Sequence, residues 1–188
     1  MHAQEQDRNG MSQRQSMNML YFVASVLAAG VTPFFRARPG REYPGMPGFL
    51  AMLLILGWAG FGNAPELIYY LGVWLIAVGI MRISALMPRS YIEHSRYGGR
   101  PWLAWTLAPW VKESTAKGAV EPLLCLIAGL LLMQVSEQVG RFVMVSGGGI
   151  FVVTLIEVSI VRRQVMQAQD AEIEMQAFAQ RMRGQRDY

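Results

Sequence analysis

The sequence predicts an all-α integral membrane helical bundle with four or five membrane segments and a cytoplasmic amphipathic C-terminal helix. Three observations predict it. Charged residues make up 16% of the 188 and hydrophobic residues 53%, whereas soluble domains carry about 25% charged residues. Apolar runs recur at Gly48–Gly62, Leu67–Met81, Pro122–Val135 and Phe142–Val161. Lys and Arg number 3 in the loop just before the first run (Arg36, Arg38 and Arg41), then 0, 6 and 1 between successive runs and 5 after the last. Membrane insertion retains short basic loops in the cytoplasm, so this alternation is what successive crossings leave behind.

The elements follow in order. Residues 1–16 are polar and Gln-rich and read as a tail that is disordered at its start. Residues 17–35 are 19 in number and uncharged. Asn18, Ser25 and Thr32 recur every seven residues on one helical face, and Ala24/Ala28 and Ser25/Ala29 form small-xxx-small pairs that let helices approach closely. A cleaved signal peptide would leave Arg36–Arg41 outside and invert everything that follows, against the charge count. The segment therefore either crosses from outside to inside or dips in and returns. A crossing is favoured, because Arg8 and Arg14 in the leader are balanced by Glu5 and Asp7.

Gly40, Pro44, Gly45 and Pro47 make the next stretch a tight loop. A segment of about 48–62 is short for the bilayer core, while about 66–87 is the strongest span, opened by Pro65 and Glu66. Segments of about 119–136 and 141–161 follow, the last containing Gly147-Gly148-Gly149, which mark close packing or a kink. The membrane domain is thus 17–161, with loop 88–118 cytoplasmic. From the end of the last span through 162–188, Val161, Val165, Ala168, Ala171, Met175, Phe178 and Met182 form an amphipathic stripe, and Gly184 stands where a C-cap would.

The chemical inventory is sparse. Two histidines and one cysteine do not make a His/Cys metal or haem site within one chain, and no HExxH, P-loop or GxGxxG motif occurs. No cofactor or metal is expected. The net charge of +4 is spread over several loops rather than one stripe, so nucleic acid is not a partner implied by it.

Loop 88–118 is the best candidate for function. Tyr91, His94, Arg96, Tyr97, Arg100, Trp102, Trp105 and Trp110 make an aromatic and basic surface. Its plain reading is contact with lipid, Trp and Tyr at head-group depth and Arg on phosphates. The same residue types dominate protein interfaces. His94 is a weak catalytic candidate, since Glu93 would point the other way on an extended chain. Trp102 and Trp105 would share one face of a short interfacial helix.

Val165, Met175, Phe178 and Met182 are the candidate partner-helix residues; packing on the chain itself or on a copy is the plain alternative. Arg82, close enough to a span end to snorkel, and Glu157 are the intramembrane polar candidates, with Lys117 a second possible partner for Glu157. Glu66, Glu121, Glu137 and Arg141 fall near predicted ends, where interfacial water satisfies them.

These features point to a non-enzymatic scaffold or accessory subunit in a cell membrane, a bacterial inner membrane by its short loops. It would be multi-pass with a cytoplasmic C-terminus, partnered by the bilayer and by a copy of itself or a larger complex. The alternatives are a membrane enzyme or lipid-handling protein acting on head groups through the His94 loop, and a solute or proton carrier.

Overall fold

The computed structural model describes residues 2–40, 43, 45–86, 99–107 and 109–184. The fold is 84% helical, with no strand among the described residues. The chain divides into two compact units, Met1–Thr154 and Leu155–Tyr188.

Helix α1 spans His2–Ala29. It starts inside the tail expected to be disordered, because Gln, Glu, Arg and Met are strong helix formers and no proline interrupts them. It ends at Gly30-Val31, where Gly30 N–H bonds the Leu27 carbonyl and Val31 N–H bonds the Ala28 carbonyl, each at 3.1 Å. Helix α2, Thr32–Phe35, follows with Pro33 in its first turn, the position that needs no amide hydrogen. Helices α3, Gly45–Phe61, and α4, Glu66–Leu86, form a hairpin. Asn63 takes the left-handed backbone (φ +47°) in its turn, a conformation Asn tolerates better than most residues.

A short helix α5, Trp102–Leu107, comes next. Then α6 (Glu113–Thr115), a π-helical turn (Ala116–Val120) and α7 (Glu121–Leu132) run on as one rod. Helix α8 is continuous over Glu137–Gly184. Glu66–Ser84, Glu113–Leu132 and Glu137–Gln176 are long and apolar enough to cross a membrane, whereas Gln15–Ala29 and Gly45–Phe61 are shorter apolar helices. Outward-facing Ile68, Tyr69, Ile76, Ile80, Leu131 and Phe151 give the first unit an apolar exterior, more than a water-soluble monomer ordinarily exposes.

Close approaches fix the order of the helices. A Cβ on Gly140 would strike Met133 and the Gly129 carbonyl, and one on Gly147 would meet Cys125 Cβ at 2.5 Å. Gly118 lies against Thr154. Read upward along α8, its partners on the other rod descend from Met133 through Cys125 to Gly118, so the two are antiparallel. The three glycines at 147–149 do not break α8. Gly147 seats α7, and Gly149 seats α1, with a Cβ there meeting the Ala24 carbonyl at 2.8 Å and Ala28 N at 2.9 Å. Gly148 faces open space. Ala24 and Ala28 are buried at this contact, so one expected small-residue pair serves close helix approach.

Phe142 is fully buried in the first unit's core. Trp58 and Tyr70 meet its ring edge-on, with centroids 5.8 and 5.5 Å away, an arrangement favoured by the ring quadrupoles. The polar ends of the neighbouring aromatics have partners. Trp58 Nε1 donates to Gln138 Oε1 at 3.2 Å, Tyr70 Oη to the Gly30 carbonyl at 2.7 Å and Trp74 Nε1 to the Ala29 carbonyl at 3.0 Å. The last two satisfy carbonyls at the end of α1, which has no further helical turn to accept them.

Candidate functional site

One end of the first unit gathers the basic loops. Ala37 and Arg100 pair their backbones in an isolated antiparallel bridge, with N···O distances of 3.0 and 2.8 Å. The bridge ties the loop after α2 to the segment that enters α5. Gly99 makes this possible. Its φ is +90°, and a Cβ there would meet the Ala37 carbonyl at 3.0 Å and Arg36 Cβ at 3.2 Å. Arg38 also takes a left-handed backbone, φ +52°, strained for a residue with a side chain. Its amide donates to Ser84 Oγ at 3.4 Å, bringing the last turn of α4 to the same end.

Beneath this junction lies a buried ion pair. Arg36 Nε donates to both oxygens of Glu121, at 3.2 and 2.9 Å, and Arg36 Nη2 donates to Oε2 at 2.7 Å. Glu121 is 0% exposed and Arg36 12%. Glu121 stands about 12 Å along the Glu113–Leu132 rod at 1.5 Å per residue, well inside it. That corrects the expectation that Glu121 sits at a span end in interfacial water. The helix begins at Glu113 rather than near residue 119, with Lys117 Nζ holding Glu113 Oε1 at 2.6 Å one turn on. Glu137 and Arg141, expected at the opposite end, form an exposed i,i+4 pair there.

The π turn leading to Glu121 is fastened to α8 by Thr154. Its Oγ1 donates to the Ile150 carbonyl at 3.0 Å and lies 3.4 Å from the Lys117 carbonyl. Such turns leave the regular hydrogen-bond ladder out of step, and an outside donor restores a partner.

Of the residues singled out in the sequence, Tyr91, His94, Arg96 and Tyr97 lie outside the described residues. Arg100, half-buried, is in the bridge. In α5, Ala104 is buried and Leu103 packs against the core, which turns Trp102 outward at 47% exposure and leaves Trp105 half-buried. Trp102 and Trp105 therefore do not share an equal environment, because the helix is anchored by the residues between them. Trp110 is 81% exposed. In the second unit Val165, Met175 and Phe178 are exposed, and Met182 lies in the same helix. Arg82 and Glu157 are exposed. The buried charge that the sequence did not reveal is the Arg36–Glu121 pair. Its signal was the i,i+4 spacing of Glu113, Lys117 and Glu121, which extends the helix upstream of Pro122.

No protein-family model, curated protein or solved structure matches the chain. The residues themselves therefore carry the functional reading. Among the described residues, no group of three His, Cys, Asp or Glu comes together to hold a metal. What the basic end offers is a ledge tied down at Arg100 and Ala104. Its guanidinium groups are matched to carboxylate or phosphate, and its indoles are suited to a surface that is apolar at one edge and wet at the other.

Proposed function

We propose that the protein is a non-enzymatic scaffold or accessory subunit of a cell membrane, a bacterial inner membrane by its loop economy. Its basic end faces the cytoplasm and holds the Arg100–Trp110 ledge against a protein partner or a second copy of the chain. The C-terminal part of α8 offers exposed Val165, Met175 and Phe178 as a separate partner surface. The observation that carries the reading is the construction of the ledge. The Ala37–Arg100 bridge and the Arg36–Glu121 pair fix its base, while Trp102, Leu107 and Trp110 are left outward. Large aromatics beside arginine on a fixed backbone are what interface hot spots are built from.

A second reading draws on the same exposure. Exposed Trp102 and Trp110 lie between Arg100 and Lys112 in the sequence, in a first unit with an apolar exterior, so the ledge also suits the head groups of anionic lipid. The two readings separate in one experiment. A Trp102→Ala/Trp110→Ala variant, purified in mild detergent, is compared with wild type by mass spectrometry of both proteins and lipids. The scaffold reading predicts that a specific co-purifying protein, or the dimeric form, falls at least tenfold with normal yield. Loss of bound anionic lipid alone supports the second reading, and an unchanged set of proteins and lipids contradicts both.

A further inference from the structure

We propose that residues 17–40 form a re-entrant hairpin, so that the chain enters the bilayer from the basic face, turns at Gly30-Val31 and leaves by that same face. The protein then crosses four times, through α3, α4, the α6–α7 rod and α8, with its N-terminus on the side of the basic loops.

The first portion of α8 serves as a ruler. Its lower end, near Gly140, faces Met133, and its upper end, at Thr154, faces Lys117 and Gly118. On this ruler Ala24 and Ala28 meet Gly149, while Gly30 meets the Phe142 ring. Helix α1 therefore descends from the basic end as its residue numbers rise. Met17 precedes Ala24 by seven residues, about 10 Å of helix, which carries it to the height of Thr154 or beyond. After Gly30 the chain turns back. Arg36 reaches Glu121, whose height lies between those of Cys125 and Lys117, Ala37 pairs with Arg100, and Arg38 reaches Ser84 at the top of α4. Both limbs thus end where the basic loops gather. A one-way crossing would need Met17 and Arg36 at opposite ends.

The chemistry of the turn fits a place within the bilayer. Non-helical backbone at membrane depth is tolerated only where it is buried and its polar groups are satisfied. Gly30, Val31 and Thr32 are buried. The carbonyls of Ala29 and Gly30 accept from Trp74 and Tyr70, and Thr32 Oγ1 donates to the Ala28 carbonyl at 2.6 Å. Gly30 is needed at the tip, since a Cβ there would stand 2.8 Å from the Phe142 ring. The returning limb is then locked by the Arg36–Glu121 pair. The uncharged 19-residue run is consistent with a crossing as far as length goes, and the contacts argue for the return.

The inference is independent of what binds the ledge, and its test reads sidedness alone. Single cysteines are placed at Gln15, Lys112 and Asn63 in a Cys125→Ala background. Right-side-out and inverted vesicles are then treated with a membrane-impermeant maleimide. The hairpin predicts that Gln15→Cys labels in the same vesicles as Lys112→Cys and in the opposite ones from Asn63→Cys. Labelling of Gln15→Cys together with Asn63→Cys overturns it. An otherwise wild-type chain with an N-terminal epitope tag provides the second measurement, by added protease. Removal of the tag in the vesicles where Lys112→Cys labels supports the hairpin, and removal in the others overturns it.

Discussion

Glu121→Gln is expected to lower the melting temperature of the purified protein in mild detergent by roughly 10 °C. The figure follows from breaking a buried ion pair, which costs about 3–5 kcal/mol, and from about 2–4 °C per kcal/mol for a chain of this size. The cost comes mainly from the partner left behind. Glutamine is nearly the same shape as glutamate, but it takes from the Arg36 guanidinium, 12% exposed, the carboxylate that accepts its Nε and Nη2 hydrogens. Removing both charges should restore most of the loss. Arg36→Met/Glu121→Met is expected to melt within a few degrees of wild type, since apolar replacements of a buried pair are often neutral or better. Arg36→Met alone should be as damaging as Glu121→Gln, because it strands the carboxylate. A double-mutant cycle on melting curves measures the coupling. Additive single and double variants would show that the pair does not join the returning limb to α7.

The second large effect separates two adjacent glycines. Gly149→Leu should destabilise the bundle by about 1–3 kcal/mol or displace α1 altogether, as over-packing does. Its new side chain would run into the Ala24 carbonyl and the Ala28 amide nitrogen, and backbone has little room to yield. Gly148→Leu should be neutral or stabilising, because nothing stands within 4 Å of its Cβ and leucine is a better helix former by nearly 1 kcal/mol. Thermal melting of the two variants side by side checks this. Equal damage from both would mean that α1 does not dock on this face of α8.

The sequence made the four principal apolar helices legible because uncharged runs bounded by charge or by Pro and Gly have few other solutions in lipid. The Gly62–Glu66 turn was legible for the same reason. Other features were hidden by physics the run lengths do not record. Nineteen uncharged residues satisfy a crossing and a hairpin equally, and what breaks α1 at Gly30 is a set of distant groups, Tyr70, Trp74 and Phe142. Glu121 next to Pro122 looks like a helix opening. The π turn lets the helix continue upstream of that proline, which carries the carboxylate inward. The triple glycine could be read as a packing site, but which residues pack depended on α1 and α7 approaching from different sides.

The central claim is that the basic end is an interface, and photo-crosslinking in native membranes tests it most directly. A photoreactive amino acid is placed at Trp110, with Leu130, an apolar outward residue of α7, as the control position. The account predicts a discrete protein adduct from position 110, at the summed mass of the chain and one partner or at twice the chain's mass. Position 130 should give lipid adducts alone. Lipid adducts alone from both positions would contradict it.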